Sequence, residues 1–510
     1  MNARIVATGL LALVVACHTT AYQAKFTSPE SAASQLDEKA PFLKCHLKDG
    51  RVFVFGKGWH VDEAAGAVSG EGIAYDLQRN AGARANLRVP LPDVVLFETN
   101  RPEEIPRDAF TVLAVVTGVS LVVTAVCLTN PKACFGSCPT FFATDGEREV
   151  LQAEGFSASV AKIFEATDVD SMWTVKPQGR ALDVLMTNDA LETHAVDSVR
   201  VLAAPRPAGS RVLRAGDAYY PALAAHEPTR CASPLGSCLE DVKAVDTREY
   251  LSPASDTDLA EKETIELTFP RGKGKVGLMI AGRNSLLNTF VFYQALAYMG
   301  RRAGDWFARL EQADVGASGF SAFGGLLGDV DVSTLTSRGW EKTGAFAEVG
   351  PIAHEVQLVP LPDGLTGDEV HVRLSLARGN WKLDRLALVE LGAPVVPVPL
   401  TPVKVTKDGQ PAPDALARLL DPKGHLVTFP GDKYRMSFEL PEGDHELFLE
   451  SRGYYYEWIR EEWLKEESAA EVARILLDPQ GAMRRLAPKY KSIEGDMERI
   501  FWQSRFGSRP

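Results

Sequence analysis

Hydrophobic and polar residues alternate over short stretches along most of this chain, and that pattern predicts β-strands. Residues 44–48 and 51–55 alternate on either side of Asp49-Gly50, a dipeptide that tolerates positive φ in a hairpin turn. Strand-like runs follow at 61–75 and 85–97. The pattern therefore predicts a small β unit early in the chain.

The same succession of short runs and turns continues after residue 139. Strand-like runs cover residues 140–142, 181–186, 198–202, 371–376, 381–391, 434–440 and 446–450. Short strands at this spacing are typical of β-sandwiches. Residues 264–270 and 276–281 flank a turn at 271–275, and we expect them to pair as a hairpin.

Other segments carry apolar residues at helical spacing. Residues 285–303 predict a core helix, and 156–166 predict a shorter one. Residues 458–477 and 481–501 predict a carboxy-terminal helical pair that Asp478-Pro479 separates.

The first 17 residues form a short basic region and an apolar run that ends at a cysteine. Arg4 precedes the uncharged stretch Ile5–Ala16, and Cys17 follows it. This is the length and order of a secretory signal peptide. The string Leu13-Val-Val-Ala-Cys17 resembles the lipobox of bacterial lipoproteins, whose cysteine accepts the lipid and becomes the first residue after cleavage. The alternatives are an ordinary signal peptide and an uncleaved membrane anchor.

Lipidation of Cys17 would hold the mature chain at a membrane surface through its acyl chains. His18 follows the cysteine instead of aspartate, and in the sorting scheme of such lipoproteins this implies transfer to the outer membrane. Residues 18–40 are polar and predict a tether between the anchor and the folded part.

A second apolar run covers residues 109–128 without a charge. At 1.5 Å per residue, 20 helical residues just cover a hydrocarbon core of about 30 Å. Its hydroxyl residues and many valines weaken that interpretation, because valine also suits a strand. Two alternatives stay open, a helix in or on a membrane and a helix buried against protein.

Composition narrows the class of protein further. The chain has 510 residues, of which 45% are hydrophobic and 24% are charged, as in ordinary globular domains. Its length predicts two to four compact units. The net charge of −12 argues against nucleic acid as the main partner.

Cysteine usage fits an exported protein. Beyond Cys17 there are six cysteines, an even number that permits up to three bridges in an oxidising compartment. Cys134 and Cys138, like Cys231 and Cys238, are close enough in sequence to close local loops. The alternatives are free thiols and a metal site, but these spacings differ from the paired CxxC of zinc ribbons.

The string Cys134-Phe-Gly-Ser-Cys-Pro-Thr140 is the most distinctive in the chain. With Asp145-Gly146 and Gly453–Trp458, it resembles segments of an uncharacterised bacterial lipoprotein family of exported proteins. The resemblance covers about 25 residues and implies export without implying an activity.

Short catalytic motifs are missing from the sequence. There is no GxSxG elbow, and His354-Glu355 and His445-Glu446 have leucine where HExxH needs its second histidine. Gly272–Gly277 matches GxGxxG, but a strand-like run follows it, so we interpret it as a turn. We interpret Asp168-Val-Asp170 and Asp329-Val-Asp331 as solvated turns, because neither continues as an EF-hand loop. No catalytic residue, metal ligand set or cofactor is predicted.

The sequence thus predicts a mainly β protein with α elements: β-sandwich-like modules, an apolar membrane-proximal helix and a C-terminal helical pair. The expected segments are a signal peptide at 1–17, a tether at 18–40, a small β unit at 41–100, an apolar helix at 109–128, a β-rich domain at 131–284, a helix at 285–312, a sandwich-like domain at 351–452 and a helical terminus at 453–510.

We expect a lipid-anchored envelope protein, facing the periplasm from the outer membrane, with a binding or structural role. Its expected partners are the membrane, through Cys17 and, if the apolar helix inserts, through 109–128, and an envelope protein or polymer, but no nucleic acid. The alternative is an envelope hydrolase whose site is assembled from residues distant in sequence.

Overall fold

The computed structural model describes most of the chain from residue 21 to residue 497. The described residues are 21–27, 32, 36–40, 42–47, 52–75, 82–103, 139–188, 192–246, 248–303, 325–347, 349–365, 367–422, 424–429, 431–457 and 465–497. They belong to two compact units, the first within 1–131 and the second within 132–457 and 462–510.

The first unit contains one antiparallel sheet. Its strands are β1 (Ala21–Thr27), β2 (Leu43–Leu47), β3 (Val52–Phe55), β4 (His60–Asp62), β5 (Ala67–Tyr75), β6 (Ala85–Pro90) and β7 (Val94–Glu103). The order is β1-β7-β2-β3-β5-β4, with β6 also on β5. The hairpin predicted around Asp49-Gly50 is confirmed as β2 paired with β3. Phe55, Trp59 and Phe97 lie in its core.

Part of the segment assigned to the tether is a strand. Ala21–Thr27 pairs along its whole length with Phe97–Glu103 of β7. The polar composition predicts a tether. Strand pairing, however, uses backbone N–H and C=O groups, and every residue of Ala21–Thr27 carries both.

The second unit holds the remaining strands and the helices. Its strands are β8 (Thr140–Thr144), β9 (Glu149–Glu154), β10 (Ala166–Ser171), β11 (Ala181–Thr187), β12 (Glu192–Pro205), β13 (Arg211–Ala215), β14 (Ala218–His226), β15 (Arg230–Ser233), β16 (Gly236–Ser237), β17 (Lys262–Pro270), β18 (Val276–Asn284), β19 (Val330–Thr336), β20 (Gly339–Phe346), β21 (Glu355–Pro360), β22 (Glu369–Ala377), β23 (Trp381–Leu391), β24 (Val398–Leu400), β25 (Lys404–Lys407), β26 (Gln410–Pro411), β27 (Leu426–Thr428), β28 (Lys433–Glu439) and β29 (His445–Glu457). Its helices are α1 (Leu286–Met299), α2 (Pro413–Leu420), α3 (Ala469–Leu477) and α4 (Pro479–Lys491).

Two sheets of the second unit share one hydrophobic core. One has the order β10-β29-β12-β24, with β27 also on β12, and the other has the order β26-β25-β28-β11-β8-β9. Val199 and Leu449 from the first sheet and Leu182 and Phe438 from the second belong to the same buried cluster. This arrangement, with the few helices, confirms a mainly β fold with α elements.

The remaining strands form a closed barrel, β13-β14-β23-β18-β21, and a sheet with the order β16-β15-β17-β22-β19-β20. Strand β18 is buried on both faces because Met279 and Ala281 belong to one cluster and Leu278 and Ile280 to another. Burial on both faces explains why 276–281 is a continuous apolar run.

The hairpin predicted from 264–270 and 276–281 is wrong. Strand β17 pairs with β15 and β22, whereas β18 pairs with β21 and β23. The turn between them is present, but each strand continues into a different sheet. A short apolar run cannot indicate which of several apolar strands becomes its partner.

Strands from the segments 131–284 and 351–452 are interleaved. The barrel takes three strands from the first segment and two from the second. Strand β12 of the first segment pairs with β29 over 13 residue pairs, and β29 starts in the second segment and continues to Glu457, into the segment predicted to be helical. The structure therefore joins these two segments in one compact unit.

The helix predicted over 285–303 is present as α1, which Ser285 caps by accepting a hydrogen bond from the Leu287 N–H. The helix predicted at 156–166 is wrong, because the only helical residues there are a 3₁₀ turn at Lys162–Phe164. Helices α3 and α4 form the predicted carboxy-terminal pair, and Asp478 caps α4 through the Gly481 N–H.

No helix among the described residues combines the length and apolar character that crossing a bilayer requires. The predicted helix at 109–128 lies outside the described residues.

Candidate functional site

Three segments of the second unit bring a histidine between two carboxylates. His354 directly precedes β21, Asp384 lies on β23, and Glu249 adjoins Tyr250, which exchanges two backbone hydrogen bonds with Leu383. The β18–β23 register shifts between Ala281↔Arg385 and Gly282↔Leu383, so Asp384 is the extra residue of a β-bulge. Bulges redirect side chains and are frequent beside functional sites. This group is called the His354 cluster below.

The polar atoms of the His354 cluster converge on one imidazole nitrogen. His354 Nε2 lies 2.9 Å from Glu249 Oε1 and 3.1 Å from Asp384 Oδ2. The three atoms all lie within 4.8 Å of one another, and each is a possible metal ligand. The carboxylates are almost inaccessible, whereas the His354 side chain is 19% exposed.

Other groups hold the two carboxylates in place. Arg283, fully buried on β18, donates from Nε and Nη2 to the two oxygens of Glu249, each over 2.7 Å. It also donates from Nη1 to the Pro351 carbonyl over 2.6 Å, which links it to the segment that carries His354. The Asp246 N–H donates to Asp384 Oδ1 over 3.0 Å.

The two carboxyl groups differ in their ionisation. Burial opposes the ionisation of Glu249, but hydrogen bonds from His354 and Arg283 outweigh it and lower its pKa to about 2. Burial raises the pKa of Asp384, although His354 and the Asp246 N–H favour its anion. Environments that separate the pKa values of neighbouring acids are typical of functional sites, and also of structural ion pairs.

A second cluster consists of acidic residues beside the barrel. Asp168 and Asp170 lie on β10, both buried, and Ser171 donates from its N–H (2.8 Å) and hydroxyl (3.2 Å) to Glu355 Oε2. Burial, then the charges of Asp168 and Glu355, raise the pKa of Asp170 well above its usual range. Burial also raises the pKa of Glu355 to about 7. The predicted solvated turn at 168–170 is therefore wrong, because this motif lies in a strand whose acidic side chains point inward.

A third group lies at the β-bulge of β12 between Val196 and Ser198. Asp197 contacts His425 Nδ1, and Arg452 Nε lies 3.4 Å from Asp197 Oδ2 and 3.5 Å from Glu165 Oε1. Partial burial and hydrogen bonding to Asp197 raise the pKa of Glu165 to about 7. This is a carboxyl pair with different pKa values, held by one arginine and one histidine.

His194 lies in an arrangement that resembles a triad. Its Nδ1 is 3.0 Å from Thr428 Oγ1, and its Nε2 is 2.8 Å from Glu192 Oε1. However, His194 and Glu192 have no exposed surface and Thr428 is 1% exposed. A substrate therefore cannot reach the hydroxyl in this conformation, and we interpret the group as a buried hydrogen-bond network.

Of the cysteines singled out in the sequence, Cys231 and Cys238 form a disulfide with a Cα–Cα distance of 5.1 Å. The bridge closes the loop formed by β15 and β16, and both residues are buried. Cys17, Cys134 and Cys138 lie outside the described residues. Cys45 is a buried free thiol.

The GxGxxG string at 272–277 is a turn followed by strand β18, as predicted. Arg271, Lys275 and Asp363 are among the residues that line a cavity there of about 20 Å³. A cavity of that size holds roughly one water molecule, so it does not provide space for a dinucleotide.

Glu249, Arg283 and Asp384 belong to no motif that the sequence shows. A signal was present in β18 and β23, because Arg283 ends the apolar run 276–282 and Asp384 interrupts the largely apolar run 381–391. A charge inside a buried strand needs a partner, so such an interruption indicates an ion pair or a site. It does not indicate which distant residue completes the group.

Comparison with known proteins adds no family. No family model matches the chain, and no curated protein matches it. Among solved structures, crystal structures of BuGH86, as wild type and as a variant, each in complex with neoagarooctaose, align with 6% sequence identity and a TM-score of 0.17. The alignment covers 44% of this chain and 33% of that chain, so it spans about a third of the length of BuGH86. A similarity this low carries no argument about fold or function.

Proposed function

We propose that this chain is a lipid-anchored cell-envelope protein with a binding or structural role. The anchor is Cys17, at the end of the apolar run Ile5–Ala16. Acylation at this position would hold the protein at a membrane surface, and the outer membrane facing the periplasm is the location that His18 favours.

The structural observation that supports export is the Cys231–Cys238 disulfide. Structural disulfides persist in oxidising compartments and are rare in the cytosol of mesophilic organisms. The bridge is buried and closes a two-stranded edge of a sheet, where it restricts the loop in the unfolded chain.

A binding or structural role is favoured over catalysis by the way two of the histidines, His194 and His226, are held. His194 is sealed in a network, and His226 contacts Glu390 over 2.9 Å on the barrel. These contacts position the rings within the protein and do not activate a nucleophile that substrate can reach.

Labelled palmitate tests the anchor. We expect incorporation into the wild-type chain and into Cys45→Ala, a matched control with a buried thiol, and none into Cys17→Ala. In the same cells, the second unit should be cut by protease only after the outer membrane is opened. Equal labelling of Cys17→Ala would contradict lipidation, and protection until the inner membrane is broken would contradict the location.

The compartment has its own test. Cys231 and Cys238 in protein taken from the envelope should resist alkylation until a reductant is added. Alkylation of both thiols without reduction would contradict an oxidised bridge in the cell.

The His354 cluster favours a second candidate function, an envelope hydrolase whose site is assembled from distant residues. Glu249, His354 and Asp384 come from three segments, and His354 is partly accessible. Turnover of chromogenic ester, phosphoester or glycoside substrates that is lost in His354→Gln and kept in His226→Gln would support this candidate. Absence of turnover by the wild type on all of them would leave the binding or structural role as the better explanation.

A further inference from the structure

We propose that Glu249, His354 and Asp384 form a mononuclear binding site for a divalent transition metal ion, with Zn²⁺ as the ion that best fits the ligands. This site lies within the second unit and does not depend on the lipid anchor. The centre of the site has fewer hydrogen-bond donors than its acceptors require.

A single nitrogen faces two carboxylate oxygens. His354 Nε2 carries at most one hydrogen, and it makes its hydrogen bond with Glu249 Oε1 over 2.9 Å. Asp384 Oδ2, only 3.1 Å from the same nitrogen, has no hydrogen-bond partner among the described residues, although the Asp384 side chain is completely buried. A buried carboxylate oxygen without a donor is costly, and a bound cation would satisfy it.

The spacing of the three atoms agrees with a small metal ion. Bonds of about 2.0–2.1 Å in a tetrahedral zinc site place neighbouring ligand atoms roughly 3.3 Å apart. The two distances from Nε2 are 2.9 Å and 3.1 Å, so small shifts of the side chains would admit the ion. Imidazole nitrogen and carboxylate oxygen are both zinc ligands, and one nitrogen with two oxygens excludes a purely hard-ion site of the calcium type.

The surrounding contacts resemble the outer shell of a metal site. Ligating carboxylates are usually held by further hydrogen bonds that fix their orientation. Arg283 holds both oxygens of Glu249, and the Asp246 N–H holds Asp384 Oδ1, which leaves Oδ2 directed at His354. The 19% exposure of His354 would let a water molecule occupy the fourth position.

The competing explanation is a charged imidazolium held between two carboxylates, without a metal. Arg283 and the buried Lys382 supply positive charge nearby and could balance the acids by themselves. The two explanations differ in what Asp384→Asn does. If His354 is an imidazolium, Asp384→Asn removes one of its counter-charges and lowers the stability of the folded protein. If the site binds a metal ion, the same substitution removes only excess negative charge from the metal-free protein and does not lower its stability.

The first experiment is a metal titration of the purified chain without a polyhistidine tag, after treatment with a chelator. We expect one equivalent of Co²⁺ to bind with visible d–d absorption, and Zn²⁺ to displace it. Zn²⁺ should also raise the thermal unfolding temperature. Both responses should be lost in Asp384→Asn and His354→Gln.

His226→Gln is the matched control. His226 and Glu390 form a second histidine–carboxylate pair on the same barrel, 2.9 Å apart, and within the described part of the chain His226 has no second carboxylate partner. This variant should bind one equivalent of metal as the wild type does.

Absence of saturable Co²⁺ binding by the wild type would overturn the proposal. Binding that persists unchanged in both Asp384→Asn and His354→Gln would overturn it as well, because the metal would lie elsewhere. Circular dichroism establishes that each variant is folded. If neither variant folds, the absorption spectrum of the wild-type Co²⁺ complex still tests the proposal. A spectrum that shows no nitrogen ligand would contradict coordination by His354.

Discussion

Two copies of the same motif, Asp-Val-Asp, end in opposite electrostatic environments. Asp170 on β10 is buried among carboxyl groups, and its pKa is raised. Asp331 on β19 is 30% exposed, with Lys342 Nζ at 2.7 Å and Lys262 Nζ at 3.5 Å. These lysines overcome the effect of partial burial and lower the pKa of Asp331. The three residues of the motif are identical, so the surroundings of each aspartate decide whether its pKa is raised or lowered.

The largest expected effect is the removal of the positive charge near Asp170. Arg214 lies on β13 beside β21, and its charge lowers the pKa of both Asp170 and Glu355. We expect Arg214→Met to lower the free energy of unfolding by about 2–3 kcal/mol, because buried carboxylates lose their counter-charge. Urea unfolding followed by circular dichroism measures this. Arg214→Lys keeps the positive charge and should lower the free energy of unfolding by less. An equal decrease in both variants would show that the effect comes from packing and not from charge.

Asp170→Asn should have a smaller effect with the opposite sign. Because the folded-state pKa of Asp170 is raised, the folded protein binds more protons than the unfolded chain above the ordinary pKa of about 3.9, and stability falls as pH rises. Asparagine imitates the protonated acid and cannot ionise. The variant should therefore be more stable than the wild type by about 1–2 kcal/mol at about pH 8, and nearly equal at about pH 4. A less stable variant at the higher pH would contradict the burial of Asp170 among acids.

The smallest effect is expected for the same substitution in the other motif. Asp331→Asn should lower the free energy of unfolding by about 0.5–1 kcal/mol at neutral pH, as for exposed ion pairs. A lowered folded-state pKa stabilises the protein above the ordinary pKa, and this contribution disappears as pH falls through the lowered value. Unfolding curves at decreasing pH should therefore converge for variant and wild type. Lys342→Met should lower the free energy of unfolding by a similar amount, and the double variant should lower it little further. Additive losses in the double variant would show that the two side chains do not interact.

Several elements follow from local sequence because their determinants are local. Strands β2 and β3 pair on either side of the predicted turn, the cap of α1 is Ser285, and the bridge between Cys231 and Cys238 closes a loop with a sequence separation of 7. Each depends on residues within a few positions of one another, where backbone conformation and spacing decide the outcome.

Elements that depend on distant partners were predicted less well. Residues 264–270 and 276–281 are strands, yet they belong to different sheets, and β12 finds its longest partner in β29, more than 200 residues later. The His354 cluster likewise depends on residues that are distant in sequence. Its members come from positions 249, 354 and 384, and the β-bulge that directs Asp384 has no sequence motif of its own.

The sequence by itself determined the mainly β class, the presence of a helix within 285–303 and of a helical pair within 458–501, and the features that predict export, because period-2 and period-3.6 patterns and turn residues are local properties. The tertiary structure decided the strand partners, the closure of the barrel and the direction in which the pKa values of Asp170 and Asp331 are shifted. These depend on which strands lie side by side, and hence on burial and on counter-charges brought together from far along the chain.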